Sequence, residues 1–171
     1  MPELRTGGKF KGRFDIEVYD KDGKFISKSS CHNIVTDEGL DHLLNVVLED
    51  TAKVATWYCA IFADDYTPDG DETYAVPEYT EWENYDEATR PEFNNATSVA
   101  KSTTNSANKA AFTANTGAAT LYGASILSVN TKGDEVGGGV LFCLGTFTVA
   151  QPVIATNVVN LTYTITAIDD A

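Results

Sequence analysis

Residues 157–168, NVVNLTYTITAI, alternate without a break: Val159, Leu161, Tyr163, Ile165 and Ala167 fall on one side, Asn160, Thr162, Thr164 and Thr166 on the other. Side chains of an extended chain point alternately to opposite faces, so the run predicts a strand with one face on a core and the other in water. Moving back along the chain, short segments rich in Thr, Ala, Val and Gly predict further strands at about 139–149, 119–130 and 109–114. Turn residues separate them at Gln151-Pro152, Thr131-Lys132-Gly133-Asp134 and Asn115-Thr116-Gly117. Regular short strands with such punctuation predict an antiparallel sandwich or barrel and exclude a βαβ fold.

The N-terminal third adds to the same sheet system. Phe14, Ile16 and Val18 alternate with Arg13, Asp15 and Glu17; Asp20-Lys21-Asp22-Gly23 is a turn suited to positive φ, and residues 24–31 return as the second arm of a hairpin. Thr36 is a helix N-cap, with Asp37 and Glu38 at the positive end of the helix dipole. Leu40, Leu43, Leu44, Val47 and Leu48 then form one apolar stripe, which predicts the chain's one substantial helix, lying on a sheet face. Residues 54–63 are nearly continuous apolar and predict a central strand.

After that strand the chain makes an excursion from about 64 to 101, punctuated by Pro68, Gly70, Pro77 and Pro91. Between Asp64 and Glu92 it carries eleven carboxylates against one base, Arg90. Tyr66, Tyr79, Trp82 and Tyr85 stand among those acids as candidate partner-binding anchors, since aromatics supply buried contact area while charges set register. Loops this long are functional or disordered, and the aromatics argue against disorder. Residues 1–12 form a candidate N-terminal arm, and 13–171 one domain. Arg5, Lys9 and Lys11 are candidate partner contacts, because seven of the twelve bases lie in the first 28 residues.

Composition excludes several classes. A net charge of -13 argues against nucleic acid as direct partner. No apolar run reaches the length of a membrane span and the N-terminus carries no secretory h-region, so a cytoplasmic site of synthesis is expected. Cys31, Cys59 and Cys143 are odd in number and widely spaced, as expected of reduced core thiols. Neither a catalytic set nor a cofactor or metal site is expected. Cys31 and His32 are adjacent but lack a third group, and paired carboxylates arise by chance among so many acids. Asp65, Thr67, Asp69 and Gly70 open like a calcium loop, yet Val76 stands where a bidentate Glu is needed. The glycines at 137–139 precede a strand, which removes the logic of a phosphate loop. Arg90 is expected to anchor the excursion by ion pairing or ring stacking.

The segments HNIVTDEGLDHLLNVVL (32–48), TWYCAIFADDYTP (56–68), YTEWENYDEATRPEF (79–93) and VNLTYTITAID (159–169) together resemble a group of small tailed-phage virion proteins associated with capsid cement, or head decoration. The resemblance covers most of the chain, and its motifs are structural. It implies a jelly-roll-like β-sandwich that forms trimers, binds the major capsid protein on the outside of the shell and reaches a neighbour with its arm, after assembly in the bacterial cytoplasm. Another virion component, of tail, neck or fibre, or a carbohydrate-binding receptor module with rings stacked on sugars, is the alternative.

Overall fold

The computed structural model describes residues 8–133 and 138–169. They form an antiparallel β-sandwich with one helix: β1 (Gly8–Tyr19), β2 (Phe25–His32), β3 (Ile34–Val35), α1 (Asp37–Leu48), β4 (Tyr58–Phe62), β5 (Ser102–Thr104), β6 (Ala110–Thr113), β7 (Ala118–Leu127), β8 (Leu141–Ile154) and β9 (Val158–Asp169). One sheet runs β2-β1-β9-β5, with β6 also paired to β9, and the other runs β3-β8-β7-β4. The arrangement is jelly-roll-like in that the first and last long strands are central neighbours in one sheet while β3 pairs with β8 in the other.

β9 pairs with β1 along its whole length, and β5 and β6 share its other side. Its apolar face does enter the core: Val159, Leu161 and Tyr163 are buried, and the Tyr163 ring stacks on Phe14 at 4.5 Å between centroids. Facing it across the sandwich are Cys59, Ile61, Ala124, Ile126 and Cys143 from the second sheet.

Three expectations require correction. β1 begins at Gly8, so residues 8–12 of the expected arm belong to the sheet, and residues 1–7, with Arg5, lie outside the described residues. Gln151 and Pro152 do not form a turn: they pair with Leu121 and Thr120 inside β8. Beyond its contact with β3 this half of β8 is an edge, where a proline costs least. The chain reverses instead at Ala155-Thr156, Thr156 having φ 73°. Of the glycines at 137–139, Gly137 lies outside the described residues.

The third correction concerns α1. Its apolar stripe is not laid on a sheet: Leu43 packs against the core, whereas Leu40, Leu44, Val47 and Leu48 are exposed. The helix docks by its first turn. Thr36 Oγ1 accepts from Gly39 N at 2.9 Å and donates to Leu141 O at 2.5 Å, and Glu38 Oε2 accepts from Leu141 N at 2.6 Å and Tyr74 N at 2.9 Å. Gly39 lies so close to β8 that an added Cβ would sit 2.4 Å from Phe142 O. Replacing a helical glycine by alanine ordinarily gains up to ~1 kcal/mol. Here the clash is with backbone, so Gly39→Ala is expected to destabilise by about 1–3 kcal/mol, read as a lower urea midpoint with the slope unchanged.

Candidate functional site

The excursion leaves β4 at Ala63 and returns at β5, and it forms a third layer on the outside of the second sheet. β4 is buried on both faces: Cys59 and Ile61 point between the sheets, while Ala60 and Phe62 point outward. An outward apolar face must be covered, and Tyr74 and Tyr79 of the excursion cover it, packed with Leu127, Leu141 and Leu144. The Tyr79 ring lies 4.9 Å from that of Phe62, and its hydroxyl meets Ser125 Oγ at 3.0 Å. Gly123 makes room for this, since a Cβ there would fall 2.0 Å from Phe62 Cζ.

The second half of the excursion turns around the β4 edge and closes the side of the sandwich. Trp82 N donates to Ile61 O at 2.8 Å, Cys59 N to Pro91 O at 2.8 Å and Asp86 N to Thr113 O at 2.8 Å. Trp82 and Tyr85 reach Phe112, at 6.3 and 5.1 Å between ring centroids, and Phe93 reaches Tyr163 at 5.5 Å. The unpaired rim of β4 is thereby covered.

The proposed aromatic anchors must therefore be corrected. Tyr79, Trp82 and Tyr85 are 8, 3 and 1 % exposed and belong to the core. Tyr66 is half-buried, its hydroxyl hydrogen-bonded to Glu72 Oε1 at 2.5 Å and its carbonyl accepting from Thr146 Oγ1. Tyr79, Trp82 and Tyr85 therefore offer no free ring face to a sugar or a partner, and of the four only Tyr66 keeps part of its ring at the surface. The Tyr85 hydroxyl is buried without a hydrogen bond, while Lys132 Nζ sits 3.9 Å over the ring and donates to Tyr85 O at 2.8 Å. Tyr85→Phe should hence leave stability unchanged or raise it by up to about 1 kcal/mol in thermal or urea unfolding, since it removes an unsatisfied hydroxyl and keeps the ring.

Arg90 anchors the excursion as expected, by ion pairing. Its Nε and Nη2 donate to the Glu81 carboxylate at 2.8 and 2.5 Å and its Nη1 to Val129 O at 2.9 Å, and Gly133 N also donates to Glu81. The two side chains are 2 and 4 % exposed. Burial works to lower the guanidinium's proton affinity, but the hydrogen bonds and charge of Glu81 outweigh it and hold Arg90 firmly protonated.

With the rings turned inward, the excursion presents carboxylates. Asp65, Asp69, Asp71, Glu78, Glu83, Asp86 and Glu92 are exposed. Asp69, Asp71 and Glu72 bring carboxylate oxygens within 4.8 Å of one another. Glu72 is already committed, accepting from Tyr66 and from the N–H groups of Asp69 and Gly70. The hydrogen bond and charge of Asp69 raise the Asp71 carboxyl above its ordinary range. On the opposite side of the molecule, the outward residues of β1 run Lys9, Lys11, Arg13, Asp15 and Glu17, with Lys28 and Lys109 beside Glu17. Lys9 and Lys11 are exposed there. The charge asymmetry of the sequence thus becomes a mildly basic outer face on the first sheet, where Arg13 pairs with Asp15 and Lys109 with Glu17, and a strongly acidic cover that lies over the second sheet and continues around the β4 side.

The three cysteines are closed off by burial. Cys31 faces the core while its neighbour His32 is exposed, so strand alternation points the two apart. Burial pushes the Cys31 and Cys143 thiols up to about 12 and raises Cys59 as well, which removes the thiolate a nucleophile needs. A cavity of about 180 Å³ beside Leu43 in the middle of α1, lined also by Trp57, Phe93, Ile126, Phe142 and Tyr163, has no carboxylate, lysine or histidine in its wall. Among the described residues no helix is long and apolar enough to cross a membrane. In comparisons with known proteins, no family model matches the chain and no curated protein shows significant similarity to it.

Proposed function

We propose that this protein is a non-enzymatic structural component of a tailed-phage virion, a cement protein that binds the outside of the capsid and bridges adjacent major capsid subunits. The observation that carries the reading is the division of charge between a mildly basic sheet face and an acidic cover whose aromatic groups are spent on holding it rigid. Such a body suits contact with two neighbours of different charge, and many weak simultaneous contacts give a surface-bound lattice its strength. The resemblance of the four quoted segments to virion proteins points the same way.

The test is co-sedimentation of the purified chain with capsids that lack it. Binding is expected at moderate ionic strength, and reversal of Asp65, Glu78 and Glu83 to lysine should weaken it at least tenfold with folding intact. Removal of residues 1–7, which leaves β1 whole, tests the contribution of Arg5 and the arm. Failure of the full chain to sediment with capsids overturns the cement role, and association with isolated tails instead places the protein there.

A further inference from the structure

Helix α1 leaves the body with its apolar stripe uncovered: Leu44, Val47 and Leu48 are 56, 76 and 70 % exposed, and Leu40 38 %. Three aliphatic side chains in two turns at such exposure are a contiguous patch of the kind that marks an interaction site. Apart from His42, which packs edge-on against Trp57, the ionisable groups of the helix are acidic. Asp37 and Asp41 continue the row of Leu44 and Leu48 by steps of three and four residues, and Glu49 and Asp50 follow at the C-terminus, where the helix dipole already favours cations and no base is present. Two such helices laid together would oppose carboxylate to carboxylate in either direction. The occupant must bring apolar groups and positive charge.

One protruding part of this same chain has that character. At the tip of the β1–β2 hairpin Phe25 and Ile26 are 48 and 49 % exposed, and Lys21, Lys24 and Lys28 are exposed around them. The acids of the tip are occupied. Asp20 accepts from the N–H groups of Asp22 and Lys24, and Asp22 pairs with Lys21. Lys24 and Lys28 make no ion pair among the described residues, although Lys28 stands opposite Glu17 across the hairpin. The hairpin cannot reach its own helix. The helix follows from the Gly12 end of β1, where Asn33 N bonds Gly12 O, and the tip lies at the Tyr19 end, roughly 20 Å further along the strand.

We infer that the β1–β2 hairpin tip of one copy seats on the apolar face of α1 of a second copy, in a head-to-tail contact that repeats from copy to copy. The two surfaces differ, so the contact is heterologous, and it builds a ring if the rotation closes and a chain if it does not. A few side chains on each surface make a contact that is weak between free molecules and gains strength where copies are held side by side. It rests on the proposed assembly role for that setting alone.

Oxidative cross-linking of the full chain tests it, because Cys31, Cys59 and Cys143 are buried and leave introduced thiols to report. Val47→Cys mixed with Ile26→Cys should give at least tenfold more disulfide-linked dimer than either variant alone or than Val47→Cys with Thr116→Cys, an exposed site elsewhere. The double variant should form species beyond the dimer. Adding Leu44→Asp, or Lys24→Glu with Lys28→Glu, should return the mixture to the control level. Equal yield in the mixture and the control overturns the inference, as does homodimer from Val47→Cys alone. Capsid co-sedimentation of the same proteins is scored separately, so loss of cross-linking with capsid binding intact counts against this contact only.

Discussion

Arg90→Ala is expected to destabilise the protein by about 3–5 kcal/mol, because it leaves the Glu81 carboxylate buried without its cation. A domain holds only about 5–15 kcal/mol in all, so the variant should be largely unfolded in mild denaturant that leaves the parent intact. The loss measures the stranded charge more than the strength of the pair. Replacing both partners, Glu81→Leu with Arg90→Met, removes the charge problem and is expected to cost less than Arg90→Ala alone. It will not be neutral, since it strands Gly133 N–H and Val129 C=O, at about 1–3 kcal/mol each where they cannot reach water. A double-mutant cycle in urea checks this. Strictly additive single effects would show that the two groups do not act as a pair.

Trp82→Ala is expected to cost about 3–5 kcal/mol, as removal of a large buried ring does, and to lower Tm by about 6–20 °C for a chain of this size. The size of the effect separates two roles for one residue. A surface anchor replaced by alanine loses partner affinity and keeps its melting temperature. A core residue loses the fold first. With Trp82 packed on Tyr85 and Phe112 at 5.5 and 6.3 Å, the second outcome is expected, and the same holds for Tyr79→Ala. Unchanged thermal stability in either variant would contradict the third layer.

The long strands, the hairpin and the helix start were legible because each rests on a local pattern, whereas the short β3 and β5 carry none and β4, expected at the centre of a sheet, stands at its edge. β9 reads from its alternation, the β1–β2 turn from Asp-Gly and the helix start from Thr36 with two acids behind it. The excursion was not legible, because its aromatics are buried by a surface that comes from elsewhere in the chain. A run of rings and carboxylates without period gives no sign of which side meets protein. A signal did exist. Cys59, Ala60, Ile61 and Phe62, and likewise Leu141 to Leu144, are apolar at successive positions, so those strands needed cover on both faces, and the only nearby supply of large rings was the excursion. The helix failed for a related reason. Its apolar stripe was real, but periodicity does not say which arc docks, and Gly39, the residue that permits close approach to β8, stands to one side of it.

The third layer also decides how the molecule opens. Long connections are ordinarily the first parts of a fold to fray, exchange their amide hydrogens and admit proteases. Here Trp82 N and Pro91 O are tied to β4 and Asp86 N to β6, and lifting residues 63–101 would bare Phe62, Leu127 and Leu144 to water. Local opening of this segment therefore approaches the free energy of complete unfolding. The bonded amides of Ala63, Trp82, Asp86, Arg90 and Phe93 should exchange as slowly as those of the core strands, and a protease should leave the stretch 79–93 uncut until the whole sandwich melts.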